Sequence, residues 1–584
     1  MKWYLTTQKK THGTYYLYKR NYQQDGTSKS DYMYLGTQDV ALKILSDFNA
    51  EKPLNERLLS FSGEIILSKI LELVEFKNII NRSIQNGAEF DVGRFIEILV
   101  IERALYEYSK WKLAHVAHAK SILSLDSIIT SDTFYETNIY HYMDYIYPYL
   151  DRIQKEIVKV LIRTENMEFD ELIIDATSVH CFGSDEVPEP KNQIEKYKQI
   201  NRTHGYSRSK RPDLPQINLI LGVSNHYIPL FFDAFSGNAP DPAMFTTILE
   251  KCRRVFPVLL KKVKGKYIVF DKGNNNETNF EELDSLRDKW GCYFVASVRP
   301  SMIRVKEQLL PLQLEELPTI YEQKNTTLRG KTSTIFLYKK ERNILLYVNE
   351  EICRKEQKER LDTLNEIQEK VGEINQTRDT IQDKLDAVKQ LLRKHSLLSC
   401  FKREVENEAI KCSPIKEKLD EKLNACGKFA LITNNFTLDA PSIVRIYKTS
   451  GVIEREFHVI KSVLSLYPLE HRKPTRIKVH CALVIWGAMA FALLRFLLTK
   501  HDMTFTFEEL KLIIKEGYLS IGDYVYPNHK SFRIQRTLNF NPLLKNIFKI
   551  YKLDHDYFDI ILLPTVEEKN EGGNENRTAF KKKE

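Results

Sequence analysis

Two carboxylates stand where the chain otherwise places hydrocarbon. Asp175 lies inside the strand-like run ELIIDATSVH, and Asp271 closes the run YIVF just before the Lys272-Gly273 turn. An unpaired charge among apolar side chains is costly, and a bound metal ion removes that cost. The ends of strands in open sheets are also where ligand sites form. Either acid taken alone is equally well read as a capping group or half of a buried salt bridge.

A third carboxylate sits in a richer pattern. The segment 443–465 reads IVRIYKTSGVIEREFHVIKSVLS, with Tyr447, Ser450, Glu454 and Lys461 at offsets 0, 3, 7 and 14. At 3.6 residues per turn these positions share one face of a helix. That face carries a carboxylate able to hold a metal, and a phenol and an ammonium able to reach phosphate oxygens. A solvated face of an amphipathic helix has the same look. Gly451 in mid-helix costs ~1 kcal/mol relative to Ala, which suggests that something approaches closely there.

Basic residues cluster twice. NRTHGYSRSKRPD holds Arg202, Arg208, Lys210 and Arg211, and the stretch after the Glu454 segment holds Arg472, Lys473, Arg476 and Lys478. Phosphate contact and a solvated loop both fit such runs. His180, His458 and His480 lack metal-ligand spacing and read as structural. Trp111 and Trp486 read as core residues rather than base-stacking platforms.

The elements that must position these groups are legible in outline. Residues 1–50 carry short aromatic and β-branched runs, Thr14–Tyr18 and Asp31–Leu35, around Asp25-Gly26, which predicts a small β-hairpin unit. Residues 54–165 show helical spacing, as in Phe95, Ile96, Leu99, Val100 and Leu105, and form a helical region with a scaffold or DNA-binding role. Asp175 then begins a series in the order strand, hairpin, helix, strand, helix, strand over 170–300. The hairpin joins Gln216–Ser224 to Tyr227–Phe235 through Asn225-His226. This order fits a mixed sheet flanked by helices. Beyond Pro300, Thr332–Lys339 and Asn343–Val348 read as strands. Ile352 to about Leu398 reads as one long charged helix whose apolar positions recur at threes and fours, a coiled-coil-like seam. Gly427–Asn434 is a further strand, 501–565 a C-terminal region, and the polar segment from Val566 to 584 a disordered tail.

Composition sets the outer bounds. The chain has 584 residues, 42% hydrophobic and 28% charged, with a net charge of +9. That is a globular profile, and the mild basic excess permits a polyanionic partner without requiring one. The eight cysteines are scattered with no C-x2-C pair, so a structural zinc site is not expected. Residues 481–498 are strongly apolar but interrupted by Arg495, and read as a buried helix rather than a membrane span. No secretory signal is visible, and a cytoplasmic, nucleoid-associated protein with reduced thiols is expected.

Taken together, the segments resemble a known family. Tyr447, Glu454 and Lys461 match the Y-x2-R-x3-E-x6-K signature of insertion-sequence DDE transposases, the IS-four-like group, with Ser450 in the place of the Arg. IIDATSVHCFG resembles the first-Asp motif of that family and YIVFDKGNNNETNFEEL the second. HGYSRSKRPDLPQINLILGVSNHYIPLFFDAFSGNAPD resembles the run into the second and third strands, and GKFALITN the strand before the Glu helix. These motifs occur in order over about residues 95–500.

The resemblance implies an α/β RNase H-like catalytic core over 170–300 and 427–500, split by an insertion domain over 301–426. It implies that Asp175, Asp271 and Glu454 are catalytic and bind two Mg²⁺ or Mn²⁺ ions. Tyr447, Lys448, Lys461, Arg208, Lys210, Arg211, Arg472 and Lys473 become the DNA-binding candidates. The implied partners are double-stranded DNA, as transposon terminal inverted repeats and target, and a second copy of the chain on that DNA, with no membrane. A junction or repair nuclease on the same core and a non-catalytic DNA-binding descendant are the alternatives.

Overall fold

The computed structural model describes residues 3–8, 14–22, 28–36, 55–84, 91–125, 129, 133–164, 169–182, 200–208, 211–255, 257–262, 265–323, 326–467, 469–525, 531–553 and 559–563. Lys210, the Asp25-Gly26 loop and the C-terminal tail expected to be disordered lie outside these residues. The chain divides into two compact units, Leu161–His458 and the combination of Met1–Val160 with Val459–Glu584.

The first of these units is built on a nine-stranded sheet. Its strands are β1 (Glu171–His180), β2 (Gln216–Ser224), β3 (Pro229–Ser236), β4 (Tyr267–Phe270), β5 (Tyr293–Val298), β6 (Thr319–Gln323), β7 (Thr326–Leu337), β8 (Lys340–Asn349) and β9 (Lys428–Thr433). The spatial order is β6-β7-β8-β9-β5-β4-β1-β2-β3. β1, β2 and β3 form an antiparallel meander, while β4 pairs parallel to β1 and β5 parallel to β4. β9 then runs antiparallel to β5, and β8, β7 and β6 continue outward antiparallel.

The central strands are buried along most of their length, which is why they read as apolar runs rather than alternating ones. Helices α1 (Asp241–Val255) and α2 (Glu277–Trp290) pack on one another beside β4 and β5. The start of α2 is fixed by Asn276, whose side chain accepts from the Asn279 amide. Its end is fixed by Gly291 at φ 67°, the left-handed conformation that favours glycine. Arg342, almost fully buried on β8, clamps Asp284 of α2 with two hydrogen bonds of 2.6 and 2.8 Å, so that strand and helix are tied by a desolvated ion pair.

Several boundaries differ from the sequence expectation. β6, β7 and β8 lie within the region expected as an insertion, yet they hydrogen-bond into the same sheet through β9. What departs from the sheet is the stretch between β8 and β9. Its expected single long helix is two helices, α3 (Glu350–Gln376) and α4 (Ile381–Lys394). The break is chemical: the Thr380 hydroxyl accepts from the Asp383 amide and caps a new helix. α4 therefore packs on α3, and their apolar stripes close on each other together with the hairpin Phe401–Glu406/Ala409–Pro414. Ile367, Val371, Val388, Leu392, Phe401 and Ile410 form this small core. A seam that reads as a coiled coil is thus satisfied within one chain. The β2–β3 loop is longer than the expected two residues. Ser224 Oγ accepts from the His226 and Ile228 amides, and Tyr227 sits at φ 65°.

The other unit brings the two chain ends together. Asn55–Ser60 pairs with Tyr518–Val525, which continues through Ser531–Leu538 to Asp559–Leu563 as a four-stranded antiparallel sheet. The helical region and the C-terminal region are therefore parts of one body rather than separate domains. Residues 1–50 carry three antiparallel strands, Trp3–Gln8, Thr14–Tyr22 and Ser28–Gly36, where a hairpin was expected. The helix Pro474–Thr499, assigned by sequence partly to the sheet core, packs instead on Val92–Tyr106, Glu136–Ile146 and Ser62–Leu73. It is long and apolar enough to span a membrane, but 83% of its apolar window is buried inside the protein. Gly487 permits that packing, since a Cβ there would lie 2.8 Å from the Cβ of Ala104. Trp486 is core, edge-on to Phe76 at 5.2 Å.

Candidate active site

β1 and β4 run parallel with Ile173 opposite Val269. Extending that register by two residues, one past the end of β4, sets Asp175 beside Asp271, the two strands being about 4.8 Å apart. The sheet thus turns two acids 96 positions apart in sequence into a pair. Their surroundings differ. Asp175 is largely buried, and burial pushes its carboxyl up to about 7. The Ala176 amide and Arg208 pull it down, while Asp271 and Asp241 push it further up. Asp271 is exposed, accepts a hydrogen bond from the Ser297 hydroxyl on β5, and receives the Tyr447 hydroxyl at 3.3 Å. Burial, and secondly the Asp271 charge, raise the Tyr447 phenol well above its ordinary range, so Tyr447 stays a donor.

A third acid, Asp241, belongs to this group and was not singled out from the sequence. It begins α1 and binds Arg208 at 2.6 Å, and Arg208 also reaches Ser178 Oγ on β1 at 3.4 Å. Two loops carry Arg208 and Asp241, and polar side chains of β2 hold both. Gln216 Nε2 donates to the carbonyls of Tyr206 and Gly237, and Asn218 Nδ2 to those of Gly237 and Ala239. Gly205 and Gly237 let these loops touch, because a Cβ on Gly205 would lie 2.0 Å from the Gly237 carbonyl oxygen. The result is a cleft of about 270 Å³ walled by Tyr206, Arg208, Asn218 and Asp241. The available signals were Gln216 and Asn218, two amides on one face of an apolar strand, and an acid at the start of a helix.

The Glu454 segment departs from the single helix expected over 443–465. Helix α5 (Ala440–Lys448) ends at Thr449, and α6 (Gly451–His458) begins after a tightened turn with bonds from Ser450 to Tyr447 and from Ile453 to Ser450. Thr449 drives the break by donating its hydroxyl to the Ile446 carbonyl at 2.6 Å. A Cβ on Gly451 would meet nothing within 4 Å among the described residues, so none of these makes the close approach inferred there. α6 packs on β1 and β2, and Glu454 is on its exposed side without a hydrogen bond or ion pair among the described residues. Among the described residues no three His, Cys, Asp or Glu side chains converge to form one metal-binding set. Asp175 and Asp271 are thus paired, while Glu454 stands on a helix against the same strand.

The remaining candidates divide. Tyr447 joins the acids. Lys448 turns away, with its Nζ 3.4 Å from the centre of the Tyr321 ring on β6. Arg211 is committed to Asp213 at the surface, and Arg202 is buried with Nη1 on the Phe182 carbonyl. Lys461, in the π-helical turn Val459–Val463, and exposed Arg472 and Lys473 belong to the other unit. There Arg476 pairs with Asp144. Trp111, expected in the core, is 54% exposed and stacked on His115.

A family model described as the transposase DDE domain matches residues 167–490, more than half of the chain. The chain belongs to that family. Membership makes it a DNA-transposition protein whose domain cuts and rejoins DNA strands. The matched span includes Asp175, Asp271 and Glu454. No curated protein matches. Among solved structures, the chain is similar to a piggyBac transposase synaptic complex with hairpin DNA, at 10% identity and a TM-score of 0.36 over 78% of this chain and 80% of that one.

Proposed function

We propose that this transposase moves an insertion sequence by cut-and-paste, with Asp175, Asp271 and Glu454 as its catalytic acids on an RNase H-like core. The observation that carries the reading is that parallel β1 and β4, paired through Ile173 and Val269, bring Asp175 and Asp271 close enough for the Asp271 charge to raise the Asp175 carboxyl, with the Glu454 helix packed on β1. The antiparallel meander joined to two parallel strands supports the RNase H-like description. Such a sheet turns separated motif residues into one catalytic edge.

The donor set fits hard divalent ions. The groups are carboxylates, and one of them is desolvated enough that positive charge is needed to keep it ionised at neutral pH. Asp175, Asp271 and Glu454 would hold a pair of Mg²⁺ or Mn²⁺ ions, which would supply activation of a water or 3′-hydroxyl and stabilisation of the leaving oxygen. The protein's own part is positioning. Ser297 and Tyr447 both donate to Asp271 Oδ1 and fix its rotamer. Arg208, whose charge lowers the buried Asp175 carboxyl, takes over the phosphate contact that the signature Arg makes where this chain has Ser450. Glu454 completes the set by movement of α6, whose break at Thr449–Ser450 frees it from α5.

The substrates in this reading are terminal inverted repeats and target duplex, with two copies of the chain on the paired ends. Incubating the protein with a plasmid carrying the inverted repeats that flank its reading frame should yield excised element and strand-transfer products with Mg²⁺ or Mn²⁺. Asp175→Ala, Asp271→Ala and Glu454→Ala should each abolish both products while still binding the ends. Wild-type-level cleavage by any of the three would overturn the assignment, and cleavage without strand transfer would make the protein a nuclease.

A further inference from the structure

The unit formed by the two chain ends contains a cavity of about 550 Å³ whose buried wall is cationic. Arg103, near the end of the helix Val92–Tyr106, is 5% exposed. Its Nη2 donates to the Ser465 carbonyl at 2.7 Å, while Nε and Nη1 have no acceptor among the described residues. Lys110 is 4% exposed, and its Nζ lies 2.9 Å from His480 Nδ1 on the helix Pro474–Thr499. When Lys110 is charged its ammonium can only donate, so His480 then accepts as the neutral ring, with two lysine N–H groups left over for an anion. The ring of His471 stands 4.9 Å from that of His480 and lines the same space.

Neither Arg103 nor Lys110 forms an ion pair with a carboxylate among the described residues. The acids of the wall are engaged or solvated: Glu107 binds Lys511, Glu136 bonds the Tyr140 hydroxyl, and Glu470 is exposed. Glu107 acts on Arg103 only through space and is itself bonded to Lys511, so two desolvated cations without a directly paired carboxylate remain, and an anion with several acceptor oxygens relieves both at once.

We propose that Arg103, Lys110, His471 and His480 form a phosphate-binding pocket, separate from the carboxylate site and assigned to no step of the DNA chemistry. The volume falls in the roughly 300–1,000 Å³ range of small-molecule sites and holds a phosphate with its attached sugar. Trp111, exposed on the wall and stacked on His115, offers a flat face to a base. The phosphate comes either from a free nucleotide or inorganic phosphate, or from a DNA strand. The electrostatics agree with the geometry. Burial first, then the neighbouring cations, depress Lys110 and His480 far below their ordinary values and His471 to about 3, and an anion reverses the second cause.

The test uses the full chain at constant ionic strength, with chloride replaced by inorganic phosphate, and in parallel a short single-stranded oligonucleotide. Phosphate should raise the melting temperature with saturation, and Lys110→Gln should weaken its binding by about tenfold, the worth of one charge-assisted hydrogen bond. Arg103→Gln is a folding risk. His471→Gln, at the half-buried edge, and the wild-type titration carry the test if that variant fails. If the oligonucleotide competes with phosphate and loses affinity in both variants, the source is DNA. If only phosphate binding falls, the source is the free anion. Failure of both phosphate and oligonucleotide to bind saturably, or binding unchanged in Lys110→Gln and His471→Gln, overturns the pocket. Asp175→Ala should leave every one of these readouts unchanged, so the outcome is independent of the catalytic assignment.

Discussion

Asp175→Asn should stabilise the metal-free protein at pH 8. The native carboxyl titrates near 7 against 3.8 for the free group, a difference of about three units. Its folded-state pKa is raised, so between about pH 4 and 7 the native state keeps a proton that the unfolded chain has lost. Stability therefore falls as pH rises through that window and levels off above it. At about 1.36 kcal/mol per unit the penalty reaches about 4 kcal/mol. Asp175 keeps some exposure, and solvent screening trims this to roughly 2–3 kcal/mol. Asparagine retains an oxygen for the Ala176 amide and carries no charge. Calorimetric unfolding in EDTA from pH 4 to 8 should show the variant matching wild type at pH 4. At pH 8 it should unfold about 3–5 °C above wild type. Adding Mn²⁺ at pH 8 should stabilise wild type and leave the variant unmoved. A variant that is less stable than wild type at pH 8, or a difference that does not change with pH, would refute the burial argument.

Three further outcomes follow from particular contacts. Arg342→Leu strands the Asp284 carboxylate and should cost about 3 kcal/mol or more, read as a drop in denaturation midpoint; a loss below about 1 kcal/mol would show that Lys340, 3.2 Å from Asp284, suffices alone. Thr380→Ala removes the cap of α4 and should cost about 1 kcal/mol, with faster amide exchange confined to Ile381–Lys394 and its packing partners. Tyr447→Phe deletes one of two donors to Asp271 and should raise the Mg²⁺ concentration for half-maximal cleavage several-fold with little change in DNA affinity; an unchanged Mg²⁺ requirement would leave Tyr447 without a positioning role.

The positions of the two aspartates were legible in the sequence, because each stands out against an apolar run: Asp175 interrupts one buried strand and Asp271 follows directly on another. The sheet itself was legible in part. Nothing local in 319–349 reveals that these strands extend the sheet rather than leave it, since that depends on β9 arriving between β8 and β5 from about 80 residues downstream. The two helix errors have one cause. Periodicity continues across Thr377–Thr380 and across Thr449–Ser450, but the Thr377 and Thr449 hydroxyls donate to carbonyls of the last turn where each helix ends, and the Thr380 hydroxyl caps the start of α4. Asp241 stayed hidden because its meaning is tertiary: only the Arg208 pair, held by Gln216 and Asn218, places it beside Asp175. The cationic pocket is hidden for the same reason, with Lys110 and His480 apart by 370 positions.

The most direct measurement replaces Mg²⁺ with Fe²⁺ and maps where ascorbate-driven hydroxyl radicals cut the polypeptide in the protein bound to transposon-end DNA. Cuts close to residues 175, 271 and 454, all suppressed by excess Mg²⁺, are the predicted result. Cuts near 175 and 271 with none near 454 would contradict a three-carboxylate site.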